Sequence, residues 1–324
     1  MLQLSKDDLL KAYRQMRTIR EFEECLHVEF SNGNIPGFVH LYAGEEASAV
    51  GVCLQLKEES DYIASTHRGH GHCIAKGCDV EAMMLEIYGK EGGLCNGKGG
   101  SMHIADLDKG MMGANGIVGG GPPLVCGAAL AAKTLKTGGV AIAFVGDGGS
   151  NQGTTFEAMN LATVWKLPAI FIFENNGYAE ATSSKYSVSS GDIVKRADGV
   201  GMPGRIVDGH DFFEIYEAAQ EAIDRARHGG GPSLLEFKLN RYYGHFEGDA
   251  QTYRGKDEVK KLREEKDCLT RFRGAVTKEK QLDGKQLDKI DDETKALIEK
   301  AVARAKAAPY PKPEALMTDV YASY

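Results

Sequence analysis

Val140-Ala-Ile-Ala-Phe-Val-Gly-Asp-Gly-Gly149 is an apolar run that ends in glycines around one carboxylate. A second apolar run, Ala169-Ile-Phe-Ile-Phe173, leads to Asn175-Asn176, with 26 residues separating Gly148 from Asn175. Between the runs, Thr155 to Lys166 has helical periodicity, so the stretch predicts strand, glycine loop, helix, strand: one βαβ unit. Such crossovers are right-handed and their strands parallel, which brings Asp147 and Asn176 to the same carboxyl edge of a sheet, where open α/β folds bind ligands. A Mg²⁺ ion takes hard oxygen ligands in octahedral geometry. The Asp147 carboxylate, the Asn176 amide oxygen and two diphosphate oxygens fill most of that shell, and the Tyr178 carbonyl is a natural further ligand.

The glycines at 146, 148, 149 and 153 let the backbone approach phosphate oxygens, and the following helix offers free N–H groups. Magnitude decides which effect leads. A helix terminus contributes about 0.3 to 1 kcal/mol to a nearby anion, whereas a unit charge pair at about 4 Å is worth roughly 4 kcal/mol at an effective dielectric of about 20. The metal ion should therefore dominate diphosphate binding. Gly-Asp-Gly alone is a weak signal in a chain with 40 glycines; its coupling to the helix and the paired asparagines makes it specific. Two other glycine patterns fail. Gly92-x4-Gly97-Lys98 resembles a P-loop, but Gly99 stands where Ser or Thr should bind the metal, and no clear strand precedes it. A dinucleotide fingerprint from Gly146 would need glycine at Asn151.

The expected class is α/β, with a mostly parallel sheet flanked by helices on both faces. Ser5 to Phe30 reads as a helix capped by Ser5, Ala43 to Leu54 and Val80 to Tyr88 as further helices, and Pro122 opens one rich in Gly127, Ala128, Ala129, Ala131 and Ala132. That small-residue face suits a close neighbour, in the core or in another subunit. Gly92 to Gly121 is expected to be loop wrapped around something. Arg205 to Val207 and Ser233 to Leu239 read as strands about a helix from Phe212 to His228. Between Ala43 to Leu54 and Val80 to Tyr88, His67, Arg68, His70 and His72 interleave with glycines, a polar loop or an anion site with Arg68 as its ligand. Residues 1–255 are taken as the ligand-binding α/β domain and 256–324 as a helical extension and tail packed on it. No internal repeat is visible.

A length of 324 residues and 42% hydrophobic content suffice for a packed core, and a net charge of −7 argues against nucleic acid as a partner. Met1 to Lys11 has no apolar run of signal length and no stretch is long enough to cross a membrane, so no membrane association and a cytoplasmic location are expected. The seven cysteines, odd in number and irregularly spaced, fit reduced core thiols. Cys73 and Cys78 lie beside His70 and His72, but at a spacing that matches no common zinc pattern.

Nearly the whole chain resembles the α subunits of the thiamine diphosphate-dependent first component of 2-oxo acid dehydrogenase complexes, the acetoin dehydrogenase branch above all. The segments that carry this are Gly37-Phe-Val-His-Leu-Tyr-Ala-Gly-Glu-Glu46, Ser65-Thr-His-Arg-Gly-His-Gly-His72, Gly97-Lys-Gly-Gly-Ser-Met-His103, Gly113-Ala-Asn-Gly-Ile-Val-Gly119, the Asp147 to Asn176 unit, and Arg241-Tyr-Tyr-Gly-His-Phe-Glu-Gly-Asp249. The resemblance implies thiamine diphosphate and Mg²⁺ as cofactors, with Asp147, Asn176 and the Tyr178 carbonyl on the metal. It implies that Arg68, Gly148, Gly149 and His245 contact the diphosphate end, that Gly116 and Val118 meet the aminopyrimidine through their backbone, and that His40 faces the substrate.

Pyruvate-type members carry Tyr where this chain has His67 and Ser where it has Phe246. The resemblance therefore implies no phosphorylation control through that serine, and makes His67 a phosphate donor by position. It also implies acetoin cleavage to acetaldehyde and a two-carbon unit passed to lipoamide, with His245 the candidate for moving protons. Thiamine chemistry needs a glutamate to activate the pyrimidine. In the family that residue sits on a β subunit, so two α and two β chains are expected, serving a lipoyl-bearing acetyltransferase component. Glu45 or Glu46 is the weaker alternative for that glutamate. A pyruvate dehydrogenase α subunit is the nearest rival reading, and a nucleotide-binding module built on the Gly92 loop a rival of another class.

Overall fold

The structure, a computed structural model, describes residues 4–321. Ser5 caps α1 (Lys6–Ser31) in a reciprocal box with Asp8, which satisfies two backbone donors at the helix start. In chain order there follow α2 (Glu46–Cys53), β1 (Tyr62–Ala64), α3 (His70–Lys76), α4 (Val80–Ile87), β2 (Met111–Gly113), α5 (Gly121–Leu135), β3 (Ala141–Gly146), α6 (Gly153–Val164) and β4 (Ala169–Asn175). A short hairpin, β5 (Tyr178–Ala179) with β6 (Thr182–Ser183), and α7 (Ser184–Ser187) precede β7 (Gly204–Asp208), α8 (Phe212–Arg227) and β8 (Ser233–Lys238), and the chain ends in α9 (Glu258–Glu265), α10 (Cys268–Lys278) and α11 (Gly284–Ala307).

Six strands form one sheet in the order β2-β1-β3-β4-β8-β7, and every pairing in it is parallel. Such a sheet must be covered on both faces, and the alternation along β3 and β4 shows how. Ile142, Phe144, Ile170 and Ile172 join the core built with α1, α2 and α8. Ala143, Val145, Phe171 and Phe173 meet Val125 and Ala129 of α5 and Met159 of α6 on the other side. Of the helices beyond residue 256, α10 and α11 lie on the first of these cores, through Phe272, Val276, Leu287, Ile290 and Ile298.

Asn175 is still in β4 and Asn176 directly follows it; Asp147 directly follows β3. Because Gly146 pairs with Glu174 in parallel register, the two ligand candidates leave neighbouring strands at one edge, as the βαβ reading requires. Four elements, β2, β1, α3 and α2, differ from expectation. The Gly92 to Gly121 stretch is not loop throughout, since β2 adds an edge strand within it. Its partner β1 spans only three residues, too few for periodicity to register. The polar stretch at His67 to His72 is loop only as far as Gly69, where α3 begins. The helix expected from Ala43 starts at Glu46, because Gly44 turns the chain with φ +102° against the Asn240 carbonyl. Among the described residues, no helix is long and apolar enough to cross a membrane.

Candidate cofactor site

Five adjacent strands deliver residues to one cavity of about 400 Å³ at the carboxyl edge of the sheet. His67 and Arg68 follow β1, Gly116 and Val118 follow β2, Asp147 to Gly149 follow β3, Asn176 and Tyr178 follow β4, and Arg241 and His245 follow β8. His40 and Glu45 enter from the segment before α2. That segment pairs with the one after β8 through Tyr242 N–H to Ala43 O (2.9 Å) and Glu247 N–H to Val39 O (2.9 Å), which sets His40 beside His245. His40, His67, Arg68, Gly116, Val118, Asp147, Gly148, Gly149, Asn176, Tyr178 and His245 therefore line this one cavity, whereas Glu46, His70, His72 and Gly153 do not.

Glycine is required at two of those positions for steric reasons. A Cβ on Gly148 would sit 2.7 Å from Ala179 Cβ, and one on Gly149 2.8 Å from Val145 Cγ1. At Gly146 and Gly153 a Cβ would meet nothing, so the approach argument holds for the middle of the loop and not for its ends. A 3-10 turn, Gly149–Asn151, also stands between the glycines and α6.

The polar groups of the cavity are left with unmet charge of both signs. Asp147 is buried; its Oδ1 accepts the Gly148 N–H (2.9 Å) while Oδ2 has no partner. Burial pushes its carboxyl up to about 6. Such an oxygen lacks a cation. Conversely, Arg68 and Arg241 are buried and neither forms an ion pair with a carboxylate among the described residues. Arg68 donates to the carbonyls of Leu41 and His245 (2.5 and 2.8 Å), and Arg241 to those of Tyr178 and Glu180 (2.8 Å each) and to the Tyr253 hydroxyl. Burial, then the neighbouring Arg241, lowers the Arg68 guanidinium to about 10. Two buried positive charges with no carboxylate in direct contact, even with Glu45, Glu23 and Glu174 near Arg68 and Asp249 near Arg241, are costly unless an anion arrives. A metal-bound polyphosphate supplies both missing partners at once.

The side chains near Asp147 are arranged to suit. Asn176 donates from Nδ2 to Glu45 Oε1 (3.0 Å), which leaves its Oδ1 for other partners, the Tyr178 N–H among them (3.3 Å). The Tyr178 carbonyl gives one lone pair to Arg241 and retains another. Burial, then the charge of Glu174, raises Glu45 to about 8. Glu46 instead points away into a buried pair with Arg20, a structural role.

Three histidines crowd the same cavity. The ring centroids of His40, His67 and His245 lie 4.5, 5.0 and 5.1 Å apart in pairs. Burial, then Arg68, holds them down to about 3, 2 and 4 respectively. All three are neutral near pH 7. Phe246 stands edge-on to Phe38 and His40.

A family model described as "Dehydrogenase E1 component" matches residues 14–314. The chain belongs to that family. Membership implies thiamine diphosphate, whose diphosphate is the kind of anion the two arginines lack. The α subunit of acetoin:2,6-dichlorophenolindophenol oxidoreductase from Cupriavidus necator is 64% identical over all of this chain and 97% of its own length. The same subunit from Bacillus subtilis is 56% identical over all of this chain and 96% of its own. The pyruvate dehydrogenase E1 component α subunit of Rhizobium meliloti is 41% identical over 98% of this chain and 91% of its own. This dehydrogenase E1 chain is thus an enzyme component of the oxidoreductase class.

Among the charged residues of the cavity, two have roles that the sequence reading did not assign. Arg241 lay inside a recognised motif, but its lack of a counter-charge is a property of the packing. Glu45 was weighed only as a pyrimidine-activating acid, whereas it hydrogen-bonds Asn176. The two rejected motifs now have physical explanations. The loop of Gly92 to Gly100 does form an anion cradle, but Glu86 fills it: its carboxylate accepts the N–H groups of Cys95, Gly97, Gly99 and Gly100 at 2.7 to 3.0 Å. Lys98 turns away to Thr318 and Asp319. No zinc site forms at Cys73 and Cys78, because His70 is spent on Glu23 and Ser101 and His72 on Ser65 and Glu174. All seven cysteines are free thiols.

Proposed function

We propose that the chain is the α subunit of an acetoin dehydrogenase first component and binds thiamine diphosphate with Mg²⁺ in the cavity at the sheet edge. The observation that carries the cofactor reading is the pairing of an orphaned Asp147 oxygen with two uncompensated guanidiniums. Asp147, the Asn176 amide oxygen and the free lone pair of the Tyr178 carbonyl would hold the metal. Arg68, His67, His245 and the backbone at Gly148 and Gly149 would take the diphosphate, with Gly116 and Val118 against the aminopyrimidine and His40 toward the substrate. When bound, the cofactor would supply the nucleophilic chemistry for breaking the carbon–carbon bond. The protein's part is to fix the diphosphate, exclude water and hold protons: His245 is neutral, its Nδ1 unpartnered, and is our candidate to move a proton there.

Acetoin is favoured over pyruvate as substrate by the 64% and 56% identities against 41% and by chemistry. Acetoin is uncharged, and the wall where His40, His67 and His245 meet is neutral. Reading the chain as an α subunit supplies the missing half of the cavity from a β subunit. Ile117 and Val118 at the cavity rim are exposed, as are Leu124, Leu135, Leu161, Val164 and Trp165 on and after α5 and α6, an apolar surface of the kind partners cover. We assign to that subunit the pyrimidine-activating glutamate, in an assembly of two α and two β chains that serves a lipoyl-bearing acetyltransferase in the cytoplasm. Residues 256–324 are proposed to be an extension of the same domain.

Co-expression with the β partner and reductive acetylation of lipoamide from acetoin or from pyruvate tests the reading. Turnover with acetoin and little with pyruvate is expected; the reverse order would make it a pyruvate dehydrogenase. Loss of cofactor affinity in His245→Ala with turnover intact at saturation would remove the proton role.

A further inference from the structure

The nine histidines differ in what their ring nitrogens do: His27 and His228 each have one engaged, by Glu247 and by the Asp224 carbonyl, and His103 is exposed to solvent. His70, His72 and His210 have both nitrogens engaged: His70 by Glu23 and Ser101, His72 by Ser65 and Glu174, His210 by Asp208 and Asn240. His40, His67 and His245 have no hydrogen-bonded ring nitrogen, and the Nδ1 atoms of His40 and His245 are buried without a partner. Most buried polar atoms are paired, so two unpartnered ring nitrogens facing one cavity call for a ligand, an ion or a water there. One ligand atom from each of the three lies within 4.8 Å of the others.

We propose that His40, His67 and His245 form a nitrogen site for a borderline divalent transition ion such as Zn²⁺ or Co²⁺, distinct from the oxygen site at Asp147 and Asn176 and inhibitory when filled. Imidazole nitrogen selects zinc and cobalt over magnesium, while carboxylate and amide oxygen select magnesium. One cavity thus holds two cation sites of different hardness. The rings are already neutral at pH 7, so no proton need be displaced. A Zn–N bond of about 2.0 to 2.1 Å places ligand nitrogens about 3.3 Å apart in a tetrahedron, so the rings must close by roughly 1.5 Å. No hydrogen bond resists that rotation. Three protein ligands leave a fourth position open, as in metal sites that bind exchangeable groups. Arg68 and Arg241 oppose any cation here, so binding is expected to be weaker than at a three-histidine site free of neighbouring positive charge.

The direct test is titration of the cofactor-free protein with Co²⁺, following the visible absorption of a four- or five-coordinate ion. One Co²⁺ per chain is expected, displaced by Zn²⁺ but not by excess Mg²⁺. His67→Phe should lower the affinity at least tenfold, and His210→Asn should not. No visible band, an intense thiolate charge-transfer band from a cysteine, or an unchanged affinity in folded His67→Phe would overturn the proposal. Should His67→Phe fail to fold, His40→Gln and His245→Gln carry the same expectation. The competition arm rests on the cofactor reading above: thiamine diphosphate with Mg²⁺ should expel the Co²⁺. Cobalt binding that the cofactor leaves untouched would sink the inhibitory role and count against the cofactor's placement, whereas absent cobalt binding bears on the nitrogen site alone.

Discussion

Asn176 Nδ2 donates to Glu45 Oε1 at 3.0 Å, and this contact fixes which end of the Asn176 amide is available to a metal. An amide presents an acceptor and a donor of nearly equal size, and only its hydrogen bonds decide their places. Burial, then the charge of Glu174, raises the Glu45 carboxyl, and in either protonation state it has an oxygen to accept from Nδ2. Glu45→Gln keeps an acceptor of the same reach and should bind Mg²⁺ and cofactor within about twofold of the parent. Glu45→Leu removes it, at a cost of roughly 1 kcal/mol or about fivefold in affinity. Calorimetry on both variants checks this; equal affinity in the two would show that Asn176 needs no such support.

The Asp147 carboxyl gives the site a pH dependence of known sign. Burial raises it to about 6, so a metal ion must compete with a proton below that value and with none well above it. At saturating cofactor, the Mg²⁺ dissociation constant should therefore rise about tenfold per pH unit below about 6 and level off toward pH 7.5. Asp147→Asn should abolish tight metal binding and with it this slope. A flat profile between pH 5 and 7 in the parent protein would count against Asp147 as the ligand.

How much of this was legible follows from where each signal lives. Long buried strands write themselves into sequence, so β3 and β4 and the edge that holds Asp147 and Asn176 could be read from apolar runs and turn residues. The strands β1 and β2 have three residues each, and their pairing is decided by tertiary contacts that periodicity does not encode. Motif matches brought Arg68 and His245 to the site, yet only packing reveals that Arg68 and Arg241 lack a counterion. The Gly92 loop shows the converse. Its glycines matched a phosphate loop except at Gly99 and were read as a loop wrapped around something; what they wrap is an anion, Glu86, which lies on α4 outside the motif.

That cradle makes a prediction about the loop. Glu86 Oε2 accepts from Cys95 and Gly97, and Oε1 from Gly99 and Gly100, so one carboxylate organises a stretch with few side chains to pack. The stretch leads on to Ser101, bonded to His70, and to Met102 at the cavity wall. Glu86→Ala strands four donors and should destabilise the protein by about 4 kcal/mol, with charge-assisted bonds the larger part. Glu86→Gln retains one acceptor oxygen and should cost roughly half as much. Hydrogen exchange at Cys95, Gly97, Gly99 and Gly100 should accelerate in both variants, more in the alanine one. Unchanged protection would mean that the loop is held by something other than this carboxylate.

Gly127 separates folding from assembly. It lies in the middle of α5, is exposed, and a Cβ there would meet nothing within 4 Å, so its small size answers no contact inside this chain. Leu124, one turn before it, and Leu135, further along, are exposed on the same helix. A glycine inside a helix costs about 1 kcal/mol relative to a good helix former, a penalty that close approach by a partner helix would offset. Gly127→Leu should thus stabilise the isolated chain by a few tenths to about 1 kcal/mol while blocking association with the β subunit. Thermal unfolding of the α chain alone gives the first sign, and co-purification or size-exclusion chromatography of the mixed subunits gives the second. A variant that assembles normally would place the partner on another face of the protein and return the exposed leucines of α5 to the solvent.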